Sequence, residues 1–95
     1  MKVFGEAVIA GFAKEHPASR KALQRFVTIV RSAVWPHFPA LRETFPATDY
    51  APATGTLVFN VGGNKYRLIA RVDFEEQLLA IQTVLTQRKY DREEL

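Results

Sequence analysis

The fold of this chain is decided by residues 58–72, VFNVGGNKYRLIARV, which predict two β-strands joined by a tight turn at Gly62-Gly63. Glycine readily supplies the positive φ angles that a short hairpin turn requires. Side chains alternate between the two faces of a strand, and polarity alternates over residues 64–74. One face carries the apolar set Tyr66, Leu68, Ala70, Val72 and Phe74. The opposite face carries Lys65, Arg67, Ile69, Arg71 and Asp73.

The cationic face of this strand is the first indication of function. The apolar face is expected to pack against other elements, which leaves Lys65, Arg67 and Arg71 on one solvent-facing surface. Cations that are already held in place by a strand bind phosphate groups without first being ordered. The pattern alone is also typical of an ordinary solvated sheet face, and it leaves open a scaffold domain with no role in RNA binding.

Length and composition predict one small soluble domain over residues 1–95. Hydrophobic residues make up 47% of the chain and include seven Phe, which is enough for a single modest core. The absence of cysteine excludes disulfides and thiolate metal sites, and two histidines are too few for an all-histidine metal site. No cofactor or metal is therefore expected. The net charge of +3 permits a polyanionic partner without requiring one.

The N-terminal region gives no indication of a membrane. Residues 7–13 form an apolar stretch between Glu6 and Lys14 that is far too short to span a bilayer and is a poor signal peptide. The expected location is the cytoplasm.

The rest of the chain predicts two N-terminal helices and a meander of three strands. Apolar residues recur at helical spacing over 5–15 and over 17–34, and His16-Pro17 separates the two segments. The other predicted elements are a possible strand over 1–4, a short helix over 40–45, an exposed loop over 48–54, strands over 56–61, 64–74 and 78–85, and a polar end over 87–95 that forms one helical turn or frays. This order predicts an α+β fold in which the helices cover one face of a mainly antiparallel sheet.

Residues 58–69, VFNVGGNKYRLI, resemble the signature of HigB-type toxins of bacterial type II toxin–antitoxin systems. His16-Pro17, Phe45-Pro46 and Tyr90-Asp91 also fit that family, so the resemblance covers nearly the whole chain in order. It implies a compact RelE-like domain that is an mRNA interferase, an endoribonuclease that cuts mRNA, usually on the ribosome. The implied partners are mRNA, the ribosome and a cognate helix-turn-helix antitoxin of the HigA type that holds the toxin inactive.

The C-terminal segment departs from the family pattern at one chemically important position. The family usually reads Thr-His-x-x-Tyr-Asp-Lys, whereas residues 86–92 read TQRKYDR. Arg92 keeps the charge of the usual lysine, but Gln87 replaces a histidine, the side chain that exchanges protons near neutral pH. The leading prediction remains the toxin nuclease, and this replacement keeps open an alternative function, a catalytically weak RNA- or ribosome-binding domain that retains antitoxin pairing.

Metal-independent RNA cleavage needs a group that accepts the 2′-OH proton, one that stabilises the phosphorane and one that protonates the leaving oxygen. Arg67 suits the phosphorane because it is always charged and binds two oxygens at once. Lys65 acts as the base if neighbouring cations favour its neutral form, and otherwise as an electrostatic clamp. Tyr90 is the candidate acid or a stacking platform for a base. The expected RNA-binding residues are Arg71, Gln87, Arg88, Lys89 and Arg92.

Overall fold

The computed structural model describes residues 1–93. Helices and strands follow in this order: β1 (Lys2–Phe4), α1 (Glu6–Glu15), a short 3-10 helix (Pro17–Ser19), α2 (Arg20–Ser32), α3 (Phe38–Thr44), β2 (Asp49–Ala51), β3 (Thr56–Val61), β4 (Tyr66–Asp73), β5 (Leu78–Thr86) and α4 (Gln87–Glu93).

The strands form one five-stranded sheet in the order β1-β5-β4-β3-β2. Every neighbouring pair is antiparallel except β1 and β5, which run parallel. The predicted α+β class, with the N-terminal helices against one face of a mainly antiparallel sheet, is confirmed. The short first strand and the three strands of the meander are present with bounds close to the predicted ones.

The hydrophobic core lies between the helices and one face of the sheet. Leu68 and Ala70 of β4 are fully buried there, and Tyr66, Val72 and Phe74 pack partly buried against the same cluster. The inward face of β4 is therefore the one that the alternation predicts. Other strands and the helices complete the core with Ile9, Leu23, Phe26, Val27, Val30, Leu41, Leu57, Phe59, Val61, Leu79, Ile81 and Val84.

The second helix ends earlier than predicted. A 3-10 helix follows His16-Pro17, and α2 itself ends at Ser32 rather than near Val34. Ala33 is extended, with φ −93° and ψ 152°. This early turn leaves Val34 78% exposed and brings Trp35 into the core at 4% exposure. The helix therefore ends before Pro36, where the chain turns so that Trp35 enters the core.

The region between α3 and β3 is more ordered than expected. The predicted loop over 48–54 contains β2, whose residue Tyr50 pairs with Leu57 of β3. Thr48 is also buried rather than exposed. A three-residue strand leaves no periodicity that a sequence could reveal, because its stability comes from the ladder with β3.

The hairpin loop between β3 and β4 has four residues rather than two. Val61 pairs with Tyr66, so residues 62–65 form the turn. Gly62 and Gly63 both adopt positive φ, 66° and 69°, as predicted. Lys65 therefore lies in the turn and outside the strand.

A side chain joins the turn before β5 to the segment after α2. Gln77, at φ 54°, donates from Nε2 to the carbonyl oxygens of Trp35 and Phe74, both at 2.7 Å. Its Oε1 accepts the backbone N–H of Trp35 at 3.3 Å. These bonds fix the chain on both sides of the buried indole.

Within the part of the chain that the structure describes, none of the helices combines the length and the apolar character needed to cross a membrane.

Candidate active site

Arg67 is the central side chain of the candidate site, and it is buried rather than solvent-facing. It pairs with Asn60 of β3 and Leu85 of β5 across the sheet. Only 9% of the residue is exposed. The prediction that Arg67 shares an exposed surface with Lys65 and Arg71 is therefore wrong for Arg67, although its side chain has the predicted orientation, opposite to Leu68.

The hairpin turn holds the guanidinium of Arg67. Nη2 donates to Asn64 Oδ1 at 2.9 Å. Nη1 donates to the backbone oxygens of Asn64 at 3.3 Å and of Tyr66 at 3.2 Å. These bonds use three of the five N–H groups that a guanidinium offers. At most two N–H groups are then left for a phosphate, and their direction is fixed by the turn.

Helix α4 covers Arg67 from the other side. Cζ of Arg67 lies 5.8 Å from the centroid of the Tyr90 ring, a distance at which a cation is attracted to an aromatic face. The helix begins directly after β5, and Thr86 caps it by accepting the N–H of Lys89 on Oγ1 at 3.2 Å. Arg67 is buried because this helix lies over the face that was expected to be open.

The start of α4 is joined to the hairpin as well. The backbone N–H of Gln87 donates to the backbone oxygen of Lys65 at 2.8 Å. Gln87 and Tyr90 are three residues apart, so they lie on one face of the helix, and both are half-buried. The side chain of Gln87 therefore faces the same side of α4 as the Tyr90 ring.

The predicted site residues divide into a cluster and outlying cations. The fold brings Lys65, Arg67, Gln87 and Tyr90 together where the hairpin meets α4. Arg71 is exposed on the same sheet face, but it lies four residues from Arg67, roughly 13 Å along the strand. The outer, exposed side of α4 carries the remaining cations Arg88, Lys89 and Arg92.

Comparison with known proteins decides the family. The family model HigB_toxin, described as the RelE-like toxic component of a toxin–antitoxin system, matches residues 19–93. The chain belongs to this family. An mRNA interferase toxin HigB of Escherichia coli strain K12 is 28% identical over 92 residues, which cover 96% of this chain and 88% of that protein. An mRNA interferase HigB of Shigella flexneri matches with the same identity and coverage.

Three residues of this candidate site were not among the predicted site residues. Asn64 binds the guanidinium through both its side chain and its backbone oxygen. Asn60 is half-buried opposite Arg67, and Thr86 caps α4. A signal existed for two of them, because asparagine after glycine favours a turn and threonine before a helix favours a cap. Nothing in the sequence indicates that Asn60 and Arg67 are paired.

The chemical groups of this site are cations, amides and a phenol. Over residues 1–93, no group of three or more His, Asp or Glu side chains is arranged to hold a metal ion. The histidines have other contacts: His16 stacks on Phe12 with ring centroids 4.3 Å apart, and His37 Nδ1 accepts the N–H of Ala40 at 3.2 Å at the start of α3.

Proposed function

We propose that this chain, acting as one domain over residues 1–95, is the toxin of a type II toxin–antitoxin system and a metal-independent endoribonuclease that cuts mRNA. Family membership and the mRNA interferase activity named for the relatives support the class of protein and its substrate. The observation that carries the proposal is the guanidinium of Arg67, which is bonded to Asn64 on one side and lies against Tyr90 on the other. A fixed cation beside a phenol is a suitable arrangement for RNA phosphodiester cleavage.

Cleavage proceeds by attack of the ribose 2′-oxygen on the adjacent phosphorus. The P–O2′ bond forms and the P–O5′ bond breaks, which leaves a 2′,3′-cyclic phosphate and a 5′-hydroxyl end. Arg67 stabilises the negative charge of the phosphorane with its remaining N–H groups. Lys65, exposed in the turn, accepts the 2′-OH proton when neutral or otherwise attracts the phosphate. Tyr90 protonates the departing 5′-oxygen or stacks on a base.

The outlying cations bind the substrate strand on either side of the cut. Arg88, Lys89 and Arg92 are exposed on the outer side of α4 and contact phosphates there, while Gln87 contacts the ribose or a base near the cut. Arg71 contacts a phosphate about two nucleotides away, given its distance of roughly 13 Å along the strand. Because these contacts are mostly to phosphates, RNA binding weakens steeply with salt.

The partners of the toxin are mRNA, the ribosome on which that mRNA is read, and a helix-turn-helix antitoxin of the HigA type. The place of action is the cytoplasm, where all three meet.

Induced expression and a cleavage assay test this function. Expression of the chain alone should arrest growth. The purified protein, first dialysed against EDTA to remove any bound metal, should cut mRNA on programmed ribosomes as well as the undialysed protein does. Lys65→Ala removes an exposed side chain while keeping the backbone oxygen that binds α4, so it should reduce cleavage without unfolding the protein. A folded wild-type protein that neither arrests growth nor cuts mRNA would contradict the proposal.

A second function is favoured by Gln87 and by the bonding of Arg67. Gln87 cannot act as an acid or base near neutral pH, and at least three N–H groups of Arg67 are already bonded within the protein. Both features favour a catalytically weak domain that binds RNA or the ribosome and retains antitoxin pairing. Salt-dependent RNA binding without single-turnover cleavage would establish this second function in place of the first.

A further inference from the structure

A groove separate from the Arg67–Tyr90 cluster lies between α2 and the β3–β4 hairpin. Its volume is about 430 Å³, within the range of sites that accept ligands. Lys21 and Arg25 of α2 line one side, and Gly62 and Gly63 of the hairpin line the other. Between them, the wall is apolar and includes Phe26, Ile29 and Phe45.

Gly62 shapes the hairpin where it faces α2. It has φ +66°, and a Cβ at this position would lie 3.0 Å from Cδ2 of Tyr66 and 3.5 Å from Cβ of Ala22. The Cβ would crowd the Tyr66 ring of the same hairpin, whereas its distance from Ala22 is an ordinary van der Waals contact. The positive φ and this crowding favour glycine here, so the hairpin side of the groove depends on the Gly-Gly turn.

The charges around the groove are not neutralised by the protein. Helix α2, RKALQRFVTIVRS, contains four cations and no acidic residue. Arg31 forms an ion pair with Glu6 at 2.7 Å, but within residues 1–93 neither Lys21 nor Arg25 forms one. Both side chains are exposed. A partner that brings carboxylates to this helix would gain both attraction and a faster encounter.

We propose that this groove is the docking site of the antitoxin, which inserts a segment with one or more carboxylates beside a bulky apolar side chain. The inference rests on the proposed toxin function. A protein segment fits better than RNA because the wall offers a base little to stack on. Ile29 is aliphatic, and the rings of Phe26 and Phe45 pack against each other and against Phe59. The apolar side chain fills the centre, where most binding energy is expected, and the carboxylates pair with the rim.

The same hairpin serves the groove and the candidate active site. Residues 60–63 line the groove, whereas Asn64 binds Arg67 and Lys65 binds the start of α4. An antitoxin in the groove therefore contacts the element that positions the guanidinium and leaves the Tyr90 side of α4 outside the docking surface.

The docking site is tested by binding of the expected antitoxin. The probe is the protein encoded by the neighbouring open reading frame. Lys21→Glu/Arg25→Glu should weaken the Kd of this product at least about 30-fold, because it places like charges opposite the carboxylates. Ile29→Ala should weaken it about tenfold by shrinking the apolar wall. The matched control Lys2→Glu/Lys14→Glu makes the same charge change outside the groove and should stay within about threefold at 0.15 M salt, where distant charges are screened.

The outcomes separate the docking site from the proposed function. Groove variants that melt like wild type, arrest growth and escape neutralisation by the product support the inference. Unchanged affinity in both groove variants, or a wild-type chain that does not bind the product, overturns it. Groove variants that lose RNA binding but keep full affinity for the product also overturn the inference, and they assign the groove to RNA. In a further outcome, the wild-type chain cuts no mRNA but binds the product, and the groove substitutions abolish this binding. That result refutes the nuclease and retains the docking site.

Discussion

Replacement of Arg67 by alanine tests whether this buried arginine stabilises the fold. The quantity to measure is the free energy of unfolding. An exposed arginine on a sheet face would change the free energy of unfolding by less than about 0.5 kcal/mol. The structure instead gives Arg67 three hydrogen bonds to Asn64 and Tyr66, each worth about 1 kcal/mol net. The contact with Tyr90 adds about 0.5–1 kcal/mol, and burial of Cγ and Cδ adds about 0.8 kcal/mol each.

These contributions are not fully lost in the variant. Asn64 is exposed, so water replaces part of its bonding to the guanidinium. We therefore expect Arg67→Ala to destabilise the protein by about 3 kcal/mol, at the upper end of the common range for single substitutions. In a domain of this size, that change lowers Tm by about 12–24 °C.

Urea and thermal unfolding measure this effect directly. Trp35 is buried and its fluorescence reports the transition. Arg71→Ala is the matched control, because Arg71 occupies the same strand and face but is exposed, and its variant should stay within about 0.5 kcal/mol of wild type. Equal stability of the two variants would refute the anchoring of Arg67. If Arg67 anchors the hairpin, Arg67→Ala lowers the amount of folded protein in the cell. Any relief of growth arrest by this variant must therefore be compared at equal amounts of folded protein.

Four other substitutions test the candidate site, its helix α4 and the contacts beside Trp35. Gln87→His should raise single-turnover cleavage on ribosomes, whereas Tyr90→Phe should lower it and leave RNA affinity nearly unchanged; equal rates for wild type and Tyr90→Phe would exclude Tyr90 as the acid. Thr86→Ala should destabilise α4 by about 1 kcal/mol through loss of its cap, seen as faster amide exchange in that helix alone. Gln77→Ala should lower the free energy of unfolding by about 2 kcal/mol, from its bonds on both sides of Trp35, and unchanged urea midpoints would contradict this bonding role.

The fold could be predicted from the sequence wherever periodicity reports burial. The alternation over residues 64–74 correctly assigns Leu68 and Ala70 to the core, and His16-Pro17 correctly divides the first two helices. The end of α2 and strand β2 could not be predicted, because they depend on partners distant in sequence. Trp35 draws the chain inward after Ser32, and β2 exists through its pairing with β3.

The candidate site shows the same limit at the level of one side chain. Strand parity tells which face Arg67 occupies, but it cannot tell what covers that face. The cover is α4, whose position depends on the bond between Gln87 and Lys65 and on the ring of Tyr90. The two glycines predict a turn, but not its four-residue length, and that length is what places Lys65 outside the strand.

The position of β5 determines when this protein can fold as it is synthesised. Lys2 pairs with Leu78, so the first strand waits for one of the last segments of the chain. Strand β5 also contacts β4, α1 and α4. Contacts so distant in sequence slow folding because most of the chain must be closed into a loop first. Nascent chains that stop before Leu78 lack the strand that joins both ends, and incomplete translation products of this gene should therefore be unfolded and harmless to the cell that makes them.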